Sequence, residues 1–169
     1  MKFASIALPL FAFVTSVAAQ ASHIGYPTAG TRIRPGHPLS VQIVKDVCSF
    51  ESTGRRAFAD IQRWLSLWLR IACGGSIEVG LVLSLQTCTS AGNCPDPVDD
   101  LGFILYTGKW TQTGQNLGQG EIWDNITVTI PNETFTNPIP AQIVENRFHL
   151  IGAGPAAILE TNTVAVQIV

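Results

Sequence analysis

The stretch Ile77-Glu-Val-Gly-Leu-Val-Leu-Ser-Leu-Gln86 decides the fold. Ile77, Val79, Leu81, Leu83 and Leu85 fall on one face of an extended chain, while Glu78, Gly80, Val82, Ser84 and Gln86 fall on the other. Side chains alternate between the two faces of a strand, so this period of two predicts β-structure. A run of this length is expected to be a central strand.

The same period recurs outward in both directions. Residues 125–130 alternate most cleanly, with Ile126, Val128 and Ile130 opposite Asn125, Thr127 and Thr129. Residues 39–44 alternate between Arg34-Pro-Gly-His-Pro38 and Lys45-Asp46, which punctuate the chain at either end. Further strands are predicted over 101–106, 142–151 and 163–169, and residues 23–26 and 31–34 read as a first strand split around Pro27-Thr-Ala-Gly30. About seven strands joined by turns rather than helices predict an all-β domain, an immunoglobulin-like antiparallel Greek-key sandwich.

Composition narrows the class of function. Of the 169 residues 46% are hydrophobic and 13% charged, which excludes a disordered chain. Ten Lys and Arg against twelve Asp and Glu leave a net charge of −2, so nothing drives counterion release from nucleic acid. Residues 1–19 read as a secretory signal: Lys2 supplies the positive charge, residues 3–14 the apolar stretch, and Val17-Ala-Ala19 the small residues for cleavage after Ala19. That stretch is shorter than the ~20 residues a span requires and is interrupted by Pro9, so no stable membrane insertion is expected. Residues 20–169 then form a single exported domain.

The cysteines and sequons fit that route. Cys48, Cys73, Cys88 and Cys94 form an even set, which in an oxidising compartment implies two disulfides among three possible connectivities. Cys88–Cys94, stapling a Gly/Asn/Ser loop, is favoured, leaving Cys48–Cys73. Asn125-Ile-Thr127 and Asn132-Glu-Thr134 are glycosylation sequons, and alternation points Asn125 away from the core.

Residues 46–75 depart from the pattern. Between Gly54 and Ala72 the period approaches four: Phe58, Ile61, Leu65, Trp68 and Ala72 share a face, and Arg56, Asp60, Arg63 and Arg70 lie mostly elsewhere. This predicts an amphipathic helix inserted between two strands, capped by Ser52 or Thr53 and ended by Gly74-Gly75. Three origins are open: a helix packed over the sandwich, a partner- or membrane-surface helix, or a short intron read in frame.

Signs of catalysis are few. His23, His37 and His149 are far apart in sequence, and no nucleophile elbow, zinc-binding pair or phosphate loop occurs. Asp96, Asp99 and Asp100 lack the glycine-spaced pattern of a calcium loop and read as an acidic turn. Trp110 and Trp123 flank a Gly/Gln/Asn-rich stretch; such tryptophans either edge a core or, as exposed indoles beside amides, make a candidate interaction surface for sugars. No metal or cofactor is expected.

Six segments carry a family resemblance, in order along the chain. They are Ile24-Gly-Tyr-Pro-Thr-Ala-Gly30, Glu78-Val-Gly80 leading to Leu85-Gln-Thr-Cys88, Cys94-Pro-Asp-Pro97, Leu101-Gly-Phe-Ile-Leu-Tyr-Thr-Gly108, Ile126-Thr-Val-Thr-Ile-Pro131 and His149-Leu-Ile-Gly-Ala-Gly-Pro155. Together they resemble the fungal necrosis-inducing secreted protein family, over nearly all of the mature chain except residues 46–75. The resemblance implies a small secreted effector, not an enzyme, that suppresses plant immunity by binding and inhibiting immune-receptor-associated kinases, also provoking host cell death. It leaves open whether the protein acts outside the host cell or enters it, and it names no contact residue. Thr107 and Lys109-Trp110 depart from the family pattern, as does the long connection after Lys45. The alternative reading from the residues is a wall- or glycan-binding β-sandwich using Trp110 and Trp123.

Overall fold

The computed structural model describes residues 21–46, 76–111, 113–116, 121–132, 138–151 and 156–169. These residues form nine strands and no helix. In chain order the strands are β1 (Ser22–Tyr26), β2 (Thr31–Ile33), β3 (Pro38–Asp46), β4 (Ile77–Thr87), β5 (Phe103–Gly108), β6 (Gly114–Asn116), β7 (Glu121–Thr129), β8 (Ile139–Ile151) and β9 (Ala156–Ile168). One sheet has the order β1-β3-β7-β6 and the other β2-β9-β8-β4-β5. The expected all-β class is therefore present. The helix and the Cys48–Cys73 pair expected within residues 46–75 lie outside the described residues.

The split first strand is two strands in two sheets. β1 pairs antiparallel with β3, and after Pro27–Gly30 the chain reappears as β2 beside β9 of the other sheet. The β2–β9 pairing is parallel, so the sandwich is not antiparallel throughout as its sequence suggested. A chain that crosses from one sheet edge to the other without reversing direction meets its new neighbour in whichever sense that neighbour runs. The short β6 was not expected, because Gly114-Gln-Asn116 has no apolar alternation. In it Gly114 lies opposite Trp123 on β7, where a Cβ would run into the indole.

The inner faces supply the core. Leu39, Val41 and Ile43 of β3 and Ile126 and Val128 of β7 meet Leu81, Leu83 and Leu85 of β4, Ala141 and Ile143 of β8, and Val166 and Ile168 of β9. Leu83, Leu85, Val41, Ile43 and Ile143 are completely buried, and each such side chain contributes about 1.5–3 kcal/mol relative to exposure. The connection after β4 folds back over the outer face of its own sheet. Cys88 and Cys94 form a disulfide there, Cys88 N donates to Pro140 O, and Gln142 Nε2 donates to Pro95 O at 3.0 Å and Gln86 Oε1 at 2.5 Å. Gln86 in turn donates to Asp100 O. This cover explains why the outward-facing Gln86 is buried.

A bulged strand, its buried charges and its exposed face

A single extra residue in β4 organises the candidate site. Glu78 pairs with His149 and Gly80 with Phe148, so Val79 has no partner on β8 and forms a β-bulge. Two residues opposing one interrupt the alternation, and every side chain before the bulge changes face. Glu78 turns inward where Leu81 leads, and Ile77 and Val79 turn to solvent, 61% and 42% exposed. The expectation that Ile77 and Val79 continue the core face is corrected on this point.

Inside, the bulge completes a cluster of buried charges at one end of the apolar core. Along β8 the inner face passes from Ala141 and Ile143 to Glu145, Arg147 and His149, all buried. Arg147 grips Glu78 with two parallel donations, Nε to Oε2 at 2.8 Å and Nη2 to Oε1 at 2.7 Å, and gives Nη1 to Glu160 Oε2 of β9 at 2.8 Å. Such bidentate, charge-assisted pairs are the strong class of hydrogen bond. From the opposite sheet Lys45 of β3 reaches Glu78 at 3.1 Å and also donates to Ser76. Two cations thus face two carboxylates, which is the condition for burying charge at a tolerable cost.

Glu145 stands apart from this balance. It has no cation within bonding distance among the described residues. Ser22 Oγ of β1 lies 2.8 Å from Glu145 Oε1 and 3.0 Å from Glu160 Oε2, and Asn162 Nδ2 donates to Glu145 Oε2 at 3.2 Å. A hydroxyl has one proton to donate. Ser22 Oγ therefore shares its one proton between Glu145 and Glu160, and Glu160 accepts also from Ser22 N and Arg147. Burial pushes the Glu145 carboxyl up to about 7, against the opposing hydrogen bonds from Ser22 and Asn162. For Glu78 burial acts in the same upward sense, but hydrogen bonds from Arg147 and Ser76 override it and hold the carboxyl at about 2. Burial lowers Lys45 despite Glu78, and burial together with the Arg147 charge lowers His149.

Every acid here is spent on Ser22, Lys45, Arg147 or a neighbouring amide. The cluster locks β1, β3, β4, β8 and β9 together; it does not present a nucleophile to solvent. No sequence signal pointed to it, since its members lie on five strands.

The outer face of the same strands is apolar and open. Gly80, Phe148 and Leu159 lie in one cross-strand row, and Ile77, Leu150 and Ala157 in the next. Phe148 is 39% exposed and Leu159 66%. Contiguous exposed apolar side chains of this kind mark interaction surfaces. Bulge, ion network and strip form one unit: the extra residue that buries Glu78 also puts Ile77 beside Leu150.

The residues singled out from sequence are placed as follows. Trp110 is buried in the core, with Lys45 Nζ 5.8 Å from its ring centre. Trp123 lies on the outer side of β7, half-buried over Gly114. The two indoles therefore do not form a shared exposed platform, because Trp110 follows β5 into the space between the sheets. Asn125 and Asn132 are both exposed. Asp96 and Asp100 accept from the backbone amides of Val98 and Gly102 within their own turn, and among the described residues no group of metal-binding side chains gathers. The chain matches no protein-family model, and no curated protein matches it.

Proposed function

We propose that this protein is a secreted effector of the fungal necrosis-inducing type, which suppresses plant immunity by binding an immune-receptor-associated kinase and blocking it without turnover. The observation that carries this reading is the exposed strip of Ile77, Phe148 and Leu159, held rigid from behind by the Arg147–Glu78–Glu160 lock. A preorganised apolar face loses little conformational entropy on association, which favours a protein partner. The domain is of immunoglobulin-like Greek-key type on this reading: β1, β3, β7 and β6 take the places of strands A, B, E and D, and β9, β8 and β4 those of G, F and C. The disulfide after β4 is compatible with export.

Purified mature protein tested against plant immune kinase domains should inhibit stoichiometrically. Phe148→Asp together with Leu159→Asp should weaken inhibition about 100-fold, the loss of two anchor side chains, with an unchanged melting temperature. Absence of binding, or inhibition that deepens with time at trace protein, overturns the proposal. Retention on chitin or cellulose with no kinase binding would favour the glycan-binding reading instead.

A further inference from the structure

The edge of a sheet carries unpaired N–H and C=O groups, and folds blunt it by shortness, bulges, charge or proline. Four edge strands here are blunted. β2 and β6 are three residues long, and β1 and β5 carry bulges, since Gly25 has no partner on β3 and Leu105 none on β4. β9 is different. It runs thirteen residues, Ala156–Ile168, pairs with β8 over its whole length without a break, and meets β2 only from Val166 to Ile168. Residues 156–165 contain no Pro, and their one charge, Glu160, is turned inward to Ser22 and Arg147.

The open groups can be named. Gly30 N donates to Ala165 O and Val169 N to Ile33 O, so the odd-numbered residues aim their backbone groups at the β2 side of the strand. With no bulge in β9, that alternation carries back along it. Ala157, Leu159, Thr161 and Thr163 therefore each turn one N–H and one C=O to the edge, where no described residue meets them. Their side chains lie on the outer face, Leu159 being 66% exposed and the other three also exposed. From behind, Glu160 accepts from Ser22 N and Asn162 donates to Ser22 O, which holds the edge in place before anything binds.

We infer that this edge pairs antiparallel with the β9 edge of a second copy of the chain, about a two-fold axis at Leu159. A two-fold contact sets one patch against itself, so the patch must complement its own reverse. Centring on Glu160 would set two carboxylates directly opposite, which is unfavourable. Centring on Thr161 would bring Ala157 against an Ala165 whose carbonyl already accepts from Gly30. Centring on Ile158 would set Thr161 against Pro155, which has no N–H. Leu159 on the axis avoids all three. Leu159 then faces Leu159 and Ala157 faces Thr161, exchanging about six backbone bonds, while Ile158 lies beside a Glu160 already held by Arg147. The Phe148–Leu159 row of each copy becomes one apolar row across the joint. A second copy supplies both the matching backbone groups and the apolar side chain at the axis, which an arbitrary extended segment does not.

Sedimentation equilibrium of the mature protein should show a reversible monomer–dimer exchange with a Kd of about 10–100 μM, because one strand pairing lies at the small end of specific interfaces. Leu159→Lys puts like charges on the axis and should weaken dimerisation about 10-fold or more, as should Leu159→Glu, with the melting temperature of the monomer unchanged. An equimolar mixture of the two variants should dimerise as the parent does. Leu159→Cys should oxidise to a covalent dimer, since a hydrogen-bonded pair sets its Cα atoms about 5.5 Å apart. Thr163→Cys, roughly 27 Å from its counterpart in this register, should not. Phe148→Asp leaves the edge intact and should not alter the dimer, so this inference and the kinase reading fail separately. A chain still monomeric at about 1 mM overturns the inference, as do open-ended oligomers, a dimer indifferent to Leu159→Lys, a Lys and Glu mixture that stays monomeric, or Thr163→Cys cross-linking as readily as Leu159→Cys.

Discussion

Ser22 and Glu145, 123 residues apart, meet at 2.8 Å between hydroxyl and carboxyl oxygen, joining the edge strand of one sheet to a central strand of the other. Glu160 lies on the far side of the same hydroxyl at 3.0 Å, so two carboxyl groups share its one proton.

The pH dependence of stability follows from the burial of Glu145. The folded Glu145 carboxyl, raised from 4.5 to about 7 by burial, keeps a proton that the unfolded chain releases. Its stabilising contribution is fully present below pH 4.5 and falls as the pH rises toward 7, by about 3 kcal/mol in total. Glu78 works in the opposite sense: its contribution is present above pH 4.5 and is lost as the pH falls toward 2. Maximum stability is therefore expected in mildly acidic solution. Glu145→Gln, which mimics the protonated acid, should flatten the decline in urea-unfolding experiments between mildly acidic and neutral pH. An unaltered slope would assign the proton to another group.

Arg147→Met should destabilise the domain by about 3–5 kcal/mol, because it strands Glu78 and Glu160 without their shared buried partner. Adding Glu78→Gln to that variant should recover part of the loss. Denaturant midpoints for the two single variants and the double variant measure the coupling directly, and strict additivity would show that the Arg147–Glu78 pair is energetically idle.

Trp110→Ala should cost about 3–5 kcal/mol as a large core truncation. Trp110→Phe should cost much less, since the indole Nε1 has no hydrogen-bond partner among the described residues. Equal midpoints for Trp110→Ala and the parent would place the ring outside the core.

Replacing Cys88 and Cys94 by Ser should lower stability by about 2 kcal/mol on a chain-entropy estimate for so short a loop. The effect should be confined to the cover over Gln86 and Gln142, whose slowed hydrogen exchange should be lost first. Global unfolding on reduction would mean that the staple holds the whole sandwich.

Expressed through a fungal secretory pathway, the chain should begin at Gln20 and carry glycan on Asn125, an exposed position of β7. Asn125→Gln should remove one glycan mass without shifting the melting temperature. An N-terminus at Met1 would refute the export expectation outright.

Much of the strand content was legible in the sequence because alternation is a local property. Ile126, Val128 and Ile130 announce their face through neighbours two positions away, and Cys88 and Cys94 lie close enough along the chain to announce their pairing. The face of Glu78 was not legible. A bulge at Val79 depends on the register of β8, and that register is set by contacts some seventy residues distant, such as Arg147 with Glu78. Trp110 read from sequence either as the edge of a core or as part of an exposed platform with Trp123, and only the turn after β5, which carries it between the sheets, decided for the core. The charge cluster was likewise invisible, since it gathers residues from five strands. The sequence by itself determined where the chain is extended and which runs are apolar; only the tertiary structure decided which side chains meet, because register, bulge and sheet-crossing are settled by long-range pairing and not by the residues on either side.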